Sequence, residues 1–411
     1  MFPRYISSQV KAALEDSPVI LLHGARQTGK STLVQNLASG EYPARYITLD
    51  DATVLAAAQS DPAGFLAGFD GPIVLDEVQR APEIFVAIKV EVDRNRQPGR
   101  YLLTGSANVL LIPRLSESLA GRMEILPLWP LSQGEIVEHQ EGFVDAVFKQ
   151  KLPPLKPSPR DETDLTARVL RGGYPEAFSR KSAARRRAWF GSYITTILQR
   201  DVRDLANIEG LTTMPRMLSL LAARVGGLVN FSELSRSLAM PQSTLKRHMA
   251  LLEATFLVQL LPPWSGNIGK RLVKSPKLYI NDTGLIASQL GLDETRLREN
   301  PTIMGPLVEN FVVMELRKQI SWSEVLPQMY HFRTGAGQEI DVVLEDASGR
   351  LVGIEVKTSA SIGPDAFKGL NTLAEKTGKQ FRRGIVLYGG TESVAFGENM
   401  HALPISALWR M

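Results

Sequence analysis

The residues Gly24-Ala-Arg-Gln-Thr-Gly29-Lys30-Ser31 are spaced to cradle a phosphate. Two glycines let successive backbone N–H groups turn toward one anion, a lysine can reach β/γ-phosphates, and a hydroxyl can ligate Mg2+. The run Gly71-Pro-Ile-Val-Leu-Asp76-Glu77 ends in two carboxylates. Following a phosphate loop, Asp76 is placed to hold Mg2+ with Ser31, and Glu77 to polarise an attacking water. Arg100-Tyr-Leu-Leu-Thr104-Gly-Ser106 ends in hydroxyls with Asn108 just beyond, and either Ser106 or Asn108 could orient that water. The chemistry expected is nucleoside triphosphate hydrolysis by Lys30, Asp76, Glu77 and Ser106. The cofactor is bound along Gly24, Ala25, Arg26, Gln27, Thr28, Gly29, Lys30, Ser31 and Thr32.

A second constellation lies near the end of the chain. Pro306-Leu-Val-Glu309-Asn-Phe-Val-Val-Met-Glu-Leu316 reads as a helix with Phe311, Val312 and Leu316 on its apolar face. Glu339-Ile-Asp341-Val-Val-Leu344 and Leu351-Val-Gly-Ile-Glu355-Val-Lys357 read as strands, and alternation puts Glu355 and Lys357 on one side. If the strands are antiparallel neighbours, Asp341, Glu355 and Lys357 converge and Glu309 approaches from the helix. Three carboxylates and a lysine suit a divalent-metal site acting on a phosphodiester, with Lys357 stabilising developing charge. An ion-paired polar strand face is the alternative.

These groups need elements to position them. The phosphate loop lies between the apolar run Pro18-Val-Ile-Leu-Leu-His23 and Thr32-Leu-Val-Gln-Asn-Leu-Ala38, so strand, loop and helix are expected in that order. The Asp76 and Ser106 runs are apolar throughout and fit parallel strands buried on both faces. Residues 1–135 are therefore expected to form a doubly wound α/β nucleotide-binding domain. Within it Asp50-Asp51 follow the strand Arg45-Tyr-Ile-Thr-Leu49 and either face the same crevice or cap a loop. Residues 136–210 are expected as a helical lid region, in which Glu141 to Asp164, containing Lys-Leu-Pro-Pro-Leu-Lys-Pro-Ser-Pro, is too proline-rich for regular structure. Residues 211–285 are expected as a winged-helix domain and 286–411 as a further α/β domain.

Within 211–285, Ser232 is expected to cap a first helix, Ala239-Met-Pro241 to make a turn, and Ser243 to start a second helix. The runs Phe256 to Leu261 and Lys277 to Ile280 would supply the wing. Gln242, Thr244, Lys246 and Arg247 would then be offered to a DNA backbone or groove, unless the module serves as a lid or subunit contact. Arg180-Lys181, Arg185-Arg-Arg187, Lys246-Arg247, Lys270-Arg271 with Lys274 and Lys277, and Arg382-Arg383 together permit a phosphate-tracking surface. Each cluster taken alone reads as a solvated face.

Composition bounds the rest. The chain has 411 residues, 44% hydrophobic and 22% charged, room for two to four domains of ordinary globular make-up. The absence of cysteine excludes disulfides, iron–sulfur clusters and thiolate zinc, and five scattered histidines speak against other zinc sites. Any metal is expected to be a hard cation on oxygens. A net charge of +4 does not force a nucleic-acid partner. No run reaches membrane-spanning length and Met1-Phe-Pro-Arg lacks a secretory pattern, so a cytoplasmic protein without a membrane partner is expected.

The layout Glu309, Asp341, Glu355-Val-Lys357 resembles the PD-(D/E)xK restriction-endonuclease and Holliday-junction-resolvase group, whose fold is also used purely to grip nucleic acid. The chain as a whole resembles a widespread bacterial and archaeal family of AAA-type P-loop ATPases with a C-terminal domain of unknown function. The resemblance is carried by Gly24–Ser31, Ile73–Glu77, Leu103–Ser106, Ser118-Leu-Ala-Gly-Arg122, Leu198-Gln-Arg-Asp201, Lys277–Gly284, Glu339–Asp341 and Glu355–Lys357. It implies an AAA-type core using ATP and Mg2+, a winged helix and a restriction-endonuclease-like end, with adenine favoured over guanine. Arg122 is the expected arginine finger or sensor, acting in its own or a neighbouring subunit, with Arg200 a second choice. A finger acting in trans needs a homo-oligomer, a hexamer among the options.

The leading expectation is an ATPase that remodels or moves on branched or single-stranded DNA, contacted through Gln242, Thr244, Lys246, Arg247, Lys270 and Arg271. A metal-dependent nuclease gated by ATP and a nucleotide-switched regulator gripping a protein partner are the alternatives.

Overall fold

Short apolar runs become strands where both faces can be covered, and the first of the two compact units of this computed structural model is built that way. Residues 2–106, 119–156, 164–202, 213–267, 269, 271 and 274–411 are described, without the side chains of Arg200 and Asp201. Asn108, Ser118 and Lys270 lie outside the described residues, as does the Arg200 side chain.

One unit comprises Arg4–Pro130 and Ala254–Phe256. Its strands are β1 (Val19–His23), β2 (Arg45–Thr48), β3 (Ile73–Asp76), β4 (Tyr101–Gly105) and β5 (Met123–Pro127). All pairings are parallel, in the order β2-β3-β4-β1-β5. Val19, Leu21, Ile73, Leu75, Tyr101 and Leu103 pack with Phe85 and Ile88 of the Ile84–Arg94 helix in one buried core. Each such side chain contributes about 1.5–3 kcal/mol on burial. Because the strands run one way, the loops after β1, β3 and β4 open at a common carboxyl edge, where open parallel sheets bind ligands. The edge strands β2 and β5 lack the apolar run of β1, β3 and β4 and are only partly buried. The β5 signal in the sequence is correspondingly weak.

The other unit comprises Met1–Pro3, Leu131–Glu253 and Leu257–Met411. Phe231–Leu238 and Gln242–Ala254 are helices joined through Ala239 in the left-handed region (φ +50°). The cap of the first helix is Asn230, whose side chain accepts from Glu233 N at 3.1 Å, and not the expected Ser232. β6 (Val258–Leu261) and β7 (Lys277–Ile280) then form an antiparallel ribbon. A six-stranded mixed sheet follows: β8 (Gln328–Arg333), β9 (Glu339–Glu345), β10 (Leu351–Lys357), β11 (Phe381–Tyr388), β12 (Val394–Ala395) and β13 (Met400–Pro404), ordered β12-β13-β11-β10-β9-β8. The β8/β9, β9/β10 and β12/β13 pairs are antiparallel, whereas β10/β11 and β11/β13 are parallel. The Met304–Ile320 helix buries Phe311, Val312 and Leu316, the face its spacing predicts.

The segment 141–164 is not irregular throughout. Phe143–Phe148 is a helix with five of its residues buried, because its run is apolar and the prolines begin only at Pro153. Residues 157–163 lie outside the described set. Among the described residues no helix is long and apolar enough to cross a membrane.

Candidate nucleotide site and a lysine-filled acidic cluster

The loop after β1 turns on glycines that cannot be replaced without strain. Gly24 has φ +156°, and a Cβ there would lie 2.2 Å from the Leu128 carbonyl oxygen. Gly29, at φ +96°, caps the Lys30–Ser39 helix, so Lys30, Ser31 and Thr32 form its first turn, whose free N–H groups favour an anion. The buried Lys30 Nζ donates to Gly24 O at 3.0 Å and Ala25 O at 2.8 Å. A phosphate is a stronger acceptor for an ammonium than these neutral carbonyls.

Arg4 fastens the same loop, donating to Thr28 O at 2.5 Å and Trp129 O at 2.7 Å. Thr28 Oγ1 donates to Ala25 O at 3.0 Å. Burial, and then the Lys30 charge, push His23 down to about 4, so the residue preceding the loop is neutral at pH 7. Nothing in the local sequence around Arg4 signals its role, since both acceptors are backbone groups far along the chain.

Asp76 ends β3 and is buried, its Oδ2 accepting from Tyr46 OH at 2.6 Å and its Oδ1 from Thr104 Oγ1. Burial and the hydrogen bond to Asp76 push the Tyr46 phenol up to about 12, which keeps it a donor. Glu77 sits in the left-handed region at φ +62°. For a residue other than glycine that costs on the order of 1–3 kcal/mol, a strain seen most often where function requires it. Its N–H donates to Thr104 Oγ1 at 3.1 Å, and its carboxylate accepts from Gln79 Nε2, which also donates to Ser106 Oγ at 3.0 Å. Glu77, Gln79 and Ser106 thus form one chain beside Asp76. Tyr46, Thr104 and Gln79 had no assigned role in the sequence; hydroxyls and an amide beside tandem acids were the only hint. Asp51 caps the Ala52–Ser60 helix, accepting from Thr53 N and Val54 N, so it takes the capping alternative, whereas Asp50 does neither of the expected things and pairs with Arg80 at 2.6 Å.

Arg122 is placed elsewhere. It precedes Met123, which aligns with Val19 at the start of β1, whereas Pro127 aligns with His23 at the end that feeds the loop. Four residues of strand separate the two edges by about 13 Å. Arg122 pairs with Asp93 and donates to Ala120 O at 3.0 Å. It lies at the amino edge of the sheet and does not meet a phosphate held by its own loop.

In the other unit, Glu309, Asp341, Glu355 and Lys357 do converge, beside Lys277, a residue expected on a basic surface. Lys277 of β7 is 2% exposed, and its Nζ lies 2.9 Å from Glu309 Oε1, 3.0 Å from Asp341 Oδ1 and 3.1 Å from Glu339 Oε1. Burial acts to lower its pKa, but Asp341, Glu309 and Glu339 outweigh burial and the net shift is upward. Tyr279 OH donates to Glu309 Oε1 at 2.7 Å, and Val356 N donates to Asp341 Oδ2 at 3.0 Å. Lys357 turns to Glu355 Oε1 at 2.7 Å, while Glu355 Oε2 is buried without a hydrogen-bond partner among the described residues. Burial first, then Asp341, push Glu309 and Glu355 each up to about 7.

The donor set does not fit a metal ion here, because the ammonium already stands among the carboxylates. Among the described residues no group of three or more His, Asp or Glu is arranged to hold one.

Other basic residues are likewise committed. Arg271 makes a two-pronged pair with Glu345 at 2.6 and 3.2 Å and a bond to Tyr330 OH at 3.1 Å. Arg383 is buried and donates to the carbonyls of Val147, Lys149 and Gln150. Lys277, Arg271 and Arg383 are therefore withdrawn from the expected phosphate-tracking surface. On the Gln242–Ala254 helix, Gln242, Lys246 and Arg247 are exposed and Thr244 half-buried, with Gln242 Nε2 donating to Ser232 Oγ at 3.2 Å.

Three family models match successive stretches of the chain. The family model described as AAA domain matches residues 16–137. Models of two domains of unknown function, DUF8612 and DUF4143, match residues 162–296 and 304–408. The chain is 33% identical over 406 residues to the uncharacterized proteins Rv2008c of Mycobacterium tuberculosis and Mb2031c of Mycobacterium bovis, covering 98% of this chain and 83% of each relative. Among solved structures it is similar to the RuvB Holliday junction branch migration motor of Thermotoga maritima, with 18% identity, 62% of this chain and 89% of that chain covered, and a TM-score of 0.32. AMPPCP-bound DnaA from Aquifex aeolicus is similar at 15% identity, 60% and 86% coverage and a TM-score of 0.29. Overlaps this loose carry no argument.

Proposed function

The chain belongs to the family of the mycobacterial proteins Rv2008c and Mb2031c and has an AAA-type P-loop ATPase core, and from that premise we propose that it hydrolyses ATP with Mg2+ and couples the cycle to DNA. The observation that carries the hydrolytic reading is that Lys30, which opens the helix after β1, and Asp76 and Glu77, at the end of β3, stand at the same carboxyl edge of one parallel sheet in which β4 lies between those two strands.

Ser31 and Asp76 offer hard oxygen donors that suit Mg2+, which when bound neutralises charge on the transferring phosphoryl group. The loop N–H groups from Gly24 to Thr32 hold the phosphates, and Lys30 leaves its two carbonyls to pair with the β/γ-oxygens. The Glu77 carboxylate, steadied by Gln79 and through it by Ser106, orients the attacking water and receives its proton as the bond between β- and γ-phosphoryl groups breaks.

DNA contact is assigned to the exposed Gln242, Lys246 and Arg247, with Thr244 beside them. The metal-dependent nuclease reading loses its support at Lys277, which fills the carboxylate cluster.

Hydrolysis measured with single-stranded, duplex and four-way-junction DNA tests the coupling. Stimulation by at least one structure that weakens with salt, without cleavage and reduced in Lys246→Ala/Arg247→Ala, is expected, since phosphate contacts release counterions. Hydrolysis unchanged by every DNA would overturn the DNA assignment in favour of a protein partner.

A further inference from the structure

Five cations gather around one cavity of about 630 Å3 in the Leu131–Met411 unit: Arg171, Lys181, Arg186, Arg187 and Arg298. Two carboxylates share the lining. Asp293 caps its own helix through Arg296 N and stands 3.9 Å from Arg187, and Glu294 stands 3.9 Å from Arg298. Arg171 and Arg186 have no carboxylate partner among the described residues. Arg171 donates from Nη2 to Phe178 O at 2.8 Å and leaves its buried Nε without an acceptor, and Arg186 donates from Nη1 to the carbonyls of Arg180 and Lys181 at 3.1 Å each.

Two half-buried guanidiniums side by side repel each other. Burial, and for Arg171 the Arg186 charge as well, hold both below the ordinary arginine value. Such an arrangement destabilises the empty protein and is relieved when an anion enters, because a phosphate takes the free donors of several arginines at once. Leu170, Phe190 and Leu292 add apolar surface to the lining, beside the hydroxyls of Ser288 and Thr295. The volume lies within the range of small-molecule sites, and the lining combines cations with aromatic and aliphatic side chains.

We propose that this cavity binds a small phosphate-bearing ligand of nucleotide size, its phosphates against Arg171, Arg186 and Lys181 and its apolar part against Phe190, at a site separate from the phosphate loop. The site is independent of the hydrolytic reading given above. Either a free pyrophosphate-type anion or a nucleoside phosphate would supply this chemistry, and the two differ in whether the apolar surface is used.

Titration calorimetry of the full chain with inorganic pyrophosphate and with adenosine 5′-monophosphate tests the proposal, run on wild type and on Lys30→Ala so that phosphate-loop binding is separated. Saturable binding of either probe that persists in Lys30→Ala is expected, weakened tenfold or more in Arg186→Ala. It should be weakened similarly in Lys181→Glu/Arg298→Glu, whose side chains are exposed and whose unfolding temperature should be unchanged. Pyrophosphate bound as tightly as the monophosphate would mark a simple anion as occupant, and tighter monophosphate binding a nucleoside phosphate. Absence of saturable binding by both probes, or equal affinity in the double charge reversal, would overturn it. So would binding only of a 20-nucleotide single strand, which would make the cluster a nucleic-acid backbone contact.

Discussion

Lys277 Nζ lies 3.0 Å from Asp341 Oδ1, and this ammonium stands where three carboxylates would otherwise face one another across the interior of the Leu131–Met411 unit. The pair ties β7 to β9, elements 64 residues apart in sequence at these positions. The carboxylates act here as an internal brace, satisfied by a side chain of the same unit.

Replacing Lys277 by Met leaves buried negative charge uncompensated. A loss of about 3–5 kcal/mol is expected by analogy with broken buried pairs. The vacated position should then accept a divalent cation: Mn2+ or Mg2+ should raise the unfolding temperature of Lys277→Met while leaving that of wild type unaltered through this site. Equal cation response in both proteins would contradict the brace.

Glu309, pushed up to about 7 against an ordinary 4.5, gives a pH signature. A carboxyl whose folded value is raised contributes stability that is complete below the unfolded value and is lost as pH climbs through the folded one. Glu309→Gln cannot titrate. Its stability relative to wild type should therefore rise between pH 5 and pH 8, by on the order of 1–3 kcal/mol in denaturant titrations. A difference flat in pH would show that burial and Asp341 do not govern this carboxyl.

Gln79 donates to both Glu77 and Ser106 and lies outside the Gly24–Thr32 loop. Gln79→Ala should leave nucleotide affinity unchanged and lower the turnover of ATP about tenfold, equivalent to ~1.4 kcal/mol at the barrier. Pre-steady-state hydrolysis beside equilibrium nucleotide binding separates the two effects.

Arg122 lies at the amino edge of the sheet, and Asp93 holds its guanidinium. Arg122→Ala should leave nucleotide affinity and the specific activity of dilute protein unchanged. Loss of activity that appears only as concentration rises would assign the residue to a neighbouring copy.

The framework of the candidate nucleotide site was legible because its signals are local. Glycines at fixed spacing, apolar runs and tandem acids lie within a few residues of the positions they determine, and β1, β3, β4, the Lys30–Ser39 helix, β9 and β10 follow from them. Long-range contacts were not legible. Beside Arg271 and Lys274, Lys277 reads as one more surface cation, and only acceptors 32 and 64 residues away reveal it as buried. Arg383 is misread for the same reason, since its acceptors are carbonyls more than 230 residues earlier. Ser232 against Asn230 shows a subtler limit, because two capping residues two positions apart are equivalent until the backbone chooses between them.

The most direct measurement is ATP hydrolysis and nucleotide retention with Mg2+ in wild type, Lys30→Ala and Glu77→Gln. The account predicts turnover by wild type, loss of both binding and turnover in Lys30→Ala, and ATP retained unhydrolysed in Glu77→Gln. Hydrolysis at the wild-type rate in both variants would contradict it.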